Sequence, residues 1–332
     1  MGQQERVIVA VPVRDEAARL PSFLTALAEQ TVPPDLLCIA FDGCSDDSAD
    51  VVAAQADALP FAIRSTTLDR ADPNAGRARR AAMALADSAN AILISTDADT
   101  TPDRDWIAAN RAALAFADIA TGRVVRDAEY PSLLQDRVEA YYDALFALRR
   151  RIDPVGWEAP ATHHYTSAAS LALRADTYRA LDGFEPRPAA EDARLIDRAH
   201  AGGHRVRRDA AIRVTTSSRR HGRTAEGLAD HLRRLDDGTG QVGMAHPADV
   251  VWRYRGHAAA RAAFPDLASH IDTLAARLGL SRDYVREVAA GSINVEAFAM
   301  RIVPVIPGGE RFVSLDMAER ALAVLDPRRA AA

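Results

Sequence analysis

Apolar positions in the first half of the chain alternate between two spacings. Val7–Val13 (VIVAVPV), Leu36–Phe41 (LLCIAF) and Ala91–Thr96 (AILIST) are near-continuous apolar runs, as in strands buried on both faces. Phe61–Thr66 reads as a shorter strand. Between them, Pro21–Gln30, Ser48–Ala58, Ala75–Ser88 and Asp105–Ala117 carry helical spacing. Strands alternating with helices at these lengths predict βαβ units and a mostly parallel sheet. DADTTPD, after the third long run, reads as a loop. Ser132–Arg151 predicts a long amphipathic helix, followed by an irregular stretch with Trp157, His163 and His164. Ser167–Leu173 returns to a strand, and Glu191–Ala201 is a helix closed by Gly202–Gly203. Residues 205–216 alternate as in a β-hairpin. From Thr224 the pattern turns helical, over Leu228–Leu235, Ala248–Phe264, Leu267–Leu278 and Ser281–Ala290, with breaks at Gly238–Gly243 and Pro265. The expected organisation is an α/β core over 1–225 and a helical C-terminal extension over 226–332.

Composition removes several chemistries. A chain of 332 residues buries a core without disulfides or a structural metal. Its two cysteines, Cys38 and Cys44, make neither a disulfide framework nor a zinc cage, and point to a reducing compartment. All 41 basic residues are arginine, so there is no Walker lysine, Schiff-base lysine or lysine base. The net charge of −5 argues against a nucleic-acid partner. No apolar run approaches the ~18–20 residues of a spanning helix. MGQQERVIVAVPV lacks the basic and apolar regions of a signal peptide, and Arg6 stands where a myristoylation site has Ser or Thr. These features predict a soluble, cytoplasmic protein.

The main chemical signal is Thr96-Asp97-Ala98-Asp99-Thr100, at the end of an apolar run. Parallel sheets bind ligands beyond the carboxyl ends of their strands. Two carboxylates there can grip Mn²⁺ or Mg²⁺, or one can hold the metal and the other a ribose. Taken alone, D-x-D is a common triplet that also serves as a solvated, helix-capping turn. Asp42, ending the second run, is placed to accept a hydrogen bond from a base or ribose. Ser48 or Asp47 caps the next helix. Arg77, Arg79 and Arg80 sit near a helix N-terminus, against the macrodipole, which fits either a bound anion or a solvated face. Glu191 and Asp192 open a helix, where carboxylates are favoured, and a carboxylate there can take a proton from an attacking hydroxyl.

In order and spacing these pieces resemble glycosyltransferase family 2, enzymes of the GT-A fold that use nucleotide-diphospho-sugars. The matching segments are VIVAVPVRDEAARL, FDGCSDDS, GRARRAAM, STDADTTP, TSAASLALRADTYRALDGFE and EDARLIDRAHAGGHRV, together spanning about residues 6–222. The resemblance implies a Rossmann-like α/β fold and a metal-dependent inverting transfer. Asp42 would contact the base, taken as uracil. Pro12, Arg14 and Glu16 would line the nucleotide pocket, with Arg77 or Arg79 near the base or diphosphate. Asp97 and Asp99 would take ribose and metal, His221 would be a third metal ligand, and Arg219, Arg220 and Arg223 would close over the diphosphate. Asp192 would be the catalytic base, with Glu191 touching substrate hydroxyls. Trp157, His163 and His164 would face the acceptor. Phe41 and Arg14 depart from the family's Asp and Tyr. The acceptor is open between a glycan, a lipid-linked molecule and a small molecule. The apolar stripe of the tail (Leu267, Ile271, Leu274, Leu278) needs burial against the core, a second copy or a bilayer surface. The alternatives are a retaining GT-A enzyme and a non-catalytic nucleotide-sugar-binding scaffold.

Overall fold

The computed structural model describes residues 5–68, 74–86, 89–222, 227–237 and 243–326. The expected break at Gly238–Gly243 and the expected role of Arg223 fall mostly or wholly outside these. Two compact units are formed. The first draws on 1–132, 159–197 and 206–234; the second on 133–158, 198–205 and 235–332. Each unit draws on separate stretches of the chain. The helix Leu133–Ile152 belongs with the later helices, because Val138, Tyr141, Leu145 and Leu148 form one core with Met244, Val250, Leu315 and Leu322.

The first unit is built on an eight-stranded sheet. Its strands are β1 (Arg6–Val13), β2 (Leu36–Asp42), β3 (Ala62–Leu68), β4 (Ala91–Ser95), β5 (Thr100–Pro102), β6 (Ile119–Arg126), β7 (Leu171–Arg174) and β8 (Val206–Thr216). The order is β3-β2-β1-β4-β7-β6-β8-β5. β3, β2, β1 and β4 run parallel, as do β6 and β8, whereas β7 is antiparallel to both its neighbours. Every residue of β2 and β4 is buried, which is why their sequences are unbroken apolar runs. Helices Leu20–Ala28 and Trp106–Ala113 supply Leu20, Phe23, Leu27, Trp106 and Ile107 to the core against Val9, Val11 and Ile94.

Three local expectations change. Residues 206–216 are one long strand, not a hairpin; it follows β6 through a register shift after Gly122, so its alternation serves a bent strand. Within DADTTPD, Thr100–Pro102 is extended and pairs antiparallel with β8. The strand at Ser167 begins later, because the Ser167 hydroxyl accepts the Ala169 N–H (3.2 Å) and sets a 3₁₀ turn over Ala168–Ser170.

The second unit is helical. It contains Leu133–Ile152, Pro247–Ala263, Leu267–Leu278, Arg282–Ala290, Val295–Ile302 and Leu315–Leu325, with a small antiparallel pair, Met244–Ala245 on Phe312–Val313. The predicted stripe is buried, with Ile271, Leu274 and Leu278 packed beside Val285, Phe298 and Ile302. No helix among the described residues is long and apolar enough to cross a membrane.

Candidate active site

The carboxyl ends of β1, β2 and β4 open onto one cavity of about 530 Å³ in the first unit. Its described lining includes Pro12, Arg14, Glu16, Asp42, Asn74, Arg79, Asp97, Asp99, Glu191, Asp192 and Arg219. This is the location that strand-end binding predicts.

Arg79 organises the wall. It is 4% exposed, on the helix Ala75–Ala84. Its Nε donates to Glu191 Oε1 (3.1 Å) and its Nη2 to Asp97 Oδ1 (2.7 Å). Its Nη1 donates to Ser95 Oγ (2.7 Å), Thr96 O (3.2 Å) and Ala168 O (3.5 Å). With this set of partners the guanidinium holds two carboxylates in place. Burial pushes the Glu191 carboxyl above its ordinary range, with Arg79 pulling the other way. The helix carrying Arg79 starts at Asn74, whose Oδ1 accepts the Arg77 N–H (2.8 Å). Gly76 lies so close to the segment after Phe184 that a Cβ would stand 2.0 Å from Glu185 O.

Asp192 lies in the first turn of the helix Glu191–Ala201. Its Oδ2 accepts the Ala168 N–H (3.0 Å) and its Oδ1 the Ala193 N–H (2.7 Å). The peptides of Ala168 thus touch both Asp192 and Arg79. Ala190, just before this helix, has φ 59°, a left-handed conformation costing an alanine ~1–2 kcal/mol. Strain of this kind collects where surrounding structure fixes a functional group.

Asp99 is crowded by negative charge. Burial, then Asp97, push its carboxyl up to about 7; Glu16 adds to this and Arg219 opposes it. Arg219 Nη2 lies 3.0 Å from Asp99 Oδ2, and the same guanidinium grips both oxygens of Glu16. Carboxylate oxygens facing one cavity suit a hard divalent cation, so Asp97 and Asp99 fit one. Asp42 is buried, with Arg14 Nη1 donating to its carbonyl (3.1 Å) and lying 3.7 Å from its Oδ2. A second cluster, Asp15, Cys44 and Asp46, brings ligand atoms within 4.8 Å of one another. Its carboxylates accept Ser45 N–H (2.6 Å), Ala17 N–H (2.9 Å) and Ser48 N–H (3.0 Å), and so build the turn.

Several predicted residues lie elsewhere. Arg77 is half-buried and does not line the cavity. His163 is fully buried with Nε2 3.0 Å from Thr121 O, and burial pushes it down to about 3. His164 stacks on Tyr165, ring centroids 4.1 Å apart. Neither histidine lines the cavity. His221 is exposed and does not line it, although Arg219 and Gly222 do. Trp157 belongs to the second unit. Sequence reasoning missed Asn74, Ala75, Ala78 and Leu228 in the lining; Asn74 alone carried a signal, as a cap residue before an Ala-rich helix.

A mostly parallel sheet flanked by helices, with an acidic cavity at its strand ends, is the GT-A architecture. Residues 8–171 match Glycosyl transferase family 2. The chain belongs to that family through this segment, and is a glycosyltransferase. No curated protein sequence matches significantly. Among solved structures, S. aureus TarS 1-349 in complex with UDP-GlcNAc is 13% identical, with TM-score 0.51, over 85% of this chain and 81% of that one. The mannosyltransferase PcManGT from Pyrobaculum calidifontis, in complex with GDP-Man and Mn²⁺, is 20% identical over 99% of this chain and 83% of that one, with TM-score 0.49. M. tuberculosis glucosyl-3-phosphoglycerate synthase is 16% identical over 73% and 85%, with TM-score 0.46. At these identities the TarS likeness speaks to the fold alone.

Proposed function

We propose that this glycosyltransferase moves a sugar from a UDP-linked donor to an acceptor hydroxyl with inversion, and that it depends on a divalent cation. The observation that carries the reading is Asp192, held by two backbone N–H groups in the cavity that also contains Asp97 and Asp99. Asp192 takes the proton from the acceptor hydroxyl. The freed oxygen attacks the anomeric carbon, and the bond to the diphosphate breaks. Glu191, locked by Arg79, positions hydroxyls beside the reacting centre. Asp99 and Asp97 would hold the cation, which when bound neutralises the departing diphosphate. Asp42 supplies a buried acceptor for an imide N–H, as uracil presents. On this reading residues 1–225 hold the catalytic core and 226–332 extend it.

Asp192→Asn tests the assignment. It keeps the size and one accepting oxygen but cannot take a proton. Turnover should fall by about 10²–10⁴-fold with donor affinity nearly unchanged. Unchanged turnover, or a product that keeps the donor's anomeric configuration by NMR, would refute it.

A further inference from the structure

We infer that Arg219 is a built-in counter-cation for Asp99, one that a divalent cation must displace to enter the site. The inference rests on the metal dependence proposed above. Its basis is geometric. Arg219 Nη2 sits 3.0 Å from Asp99 Oδ2, while the fork of the same guanidinium is seated on Glu16, Nη1 to Oε2 at 2.8 Å. The side chains of Asp99 and Arg219 are each 18% exposed and that of Glu16 only 7%. Both ends of the bridge are anchored. The Glu16 N–H donates to Ser48 Oγ (2.9 Å). The Arg219 N–H donates to Ser217 Oγ (3.3 Å), and the Ser218 N–H to Asp127 Oδ1 (3.1 Å).

A guanidinium so placed supplies the positive charge that Asp97, Asp99 and Glu16 lack among themselves. Asp99 cannot meet a second cation at close range without repulsion from the first. Arg219 also has somewhere to go. Released from Asp99, it keeps its two-pronged partner Glu16, so displacement does not strand a buried charge. Arg79, which holds the neighbouring Asp97, has no such freedom, with two carboxylates, a hydroxyl and two carbonyls all depending on it. Arg219 is therefore the exchangeable cation of the pair. Free metal meets a competitor, and a diphosphate, whose negative charge both cations can share, removes the competition. Metal entry is thereby coupled to nucleotide.

The test is Mn²⁺ affinity without nucleotide, read from the EPR signal of free Mn²⁺, for the full chain and for Arg219→Gln, Asp99→Asn and the double variant. Arg219→Gln should bind Mn²⁺ about tenfold more tightly than the unaltered chain, a change of ~1.4 kcal/mol. The double variant should show no gain over Asp99→Asn, which isolates the pair. Arg219→Lys keeps the charge without the fork, and should gain less. It serves if Arg219→Gln fails to fold. At saturating UDP the tenfold gap should close. Unchanged or weaker Mn²⁺ binding in Arg219→Gln would overturn the inference, as would an equal gain in the Asp99→Asn background or a gap that persists with UDP. No Mn²⁺ binding by any variant would instead overturn the metal reading, and this inference with it.

Discussion

Removing Arg79 should break the first unit's wall while leaving its sheet intact in outline. Arg79→Met keeps much of the volume but strands Glu191, whose side chain is 7% exposed. A buried carboxylate deprived of its paired cation costs about 3–5 kcal/mol. Asp97, whose side chain is 34% exposed, keeps water and adds at most ~1 kcal/mol. The loss of a donor to Thr96 O adds about 1 kcal/mol more. Urea unfolding should therefore show a loss of about 4–7 kcal/mol at pH 7.5. Adding Glu191→Gln removes the stranded charge and should recover roughly half. The sign with pH is fixed. The folded Glu191 carboxyl lies above its ordinary value because of burial, and without Arg79 it rises further. Its folded state then takes up a proton that the unfolded state releases, so the variant's deficit should shrink as pH falls toward 5. A deficit below about 1 kcal/mol, or one that Glu191→Gln leaves unchanged, would refute the view of Arg79 as the organising cation.

Two further outcomes are expected. His163 is held neutral at about 3 against its ordinary 6.5. The unfolded chain therefore binds the proton first, and stability drains as pH falls below 6.5, by roughly 3 kcal/mol at pH 4.5. His163→Gln should flatten that slope in urea titrations, and an unchanged slope would show that other groups set it. Truncation after Arg223 removes Met244, Val250, Leu315 and Leu322 from around the helix Leu133–Ile152. The shortened chain should bind a hydrophobic dye and aggregate in light scattering, and a monodisperse product would contradict this.

The sequence made the strand–helix alternation legible because β1, β2 and β4 are buried on both faces, leaving no polar positions to interrupt them. It also marked Asp42, Asp97, Asp99 and Asp192, since strand ends and helix starts are local features. β6, Ile119–Arg126, escaped notice because Gly122, Arg123 and Arg126 interrupt its apolar run. The work of Arg79 was equally hidden: GRARRAA shows three arginines, and only the packing decides which one turns inward. The grouping of Leu133–Ile152 with helices a hundred residues later depends on which apolar faces meet, a matter periodicity does not address.

The strand order also has a consequence for biosynthesis. β1 to β4 can pair as soon as they emerge, since each finds a parallel neighbour among the first strands translated. β6 must wait for β7, and its other edge stays open until β8, which ends at Thr216. At 5–20 residues per second, the ninety residues from Arg126 to Thr216 take about 5–18 s to synthesise. For that interval the nascent chain offers an unpaired apolar edge to chaperones and to other chains. Ribosome pausing between β6 and β8 would lengthen the exposure, whereas pausing beyond Thr216 would leave it unchanged.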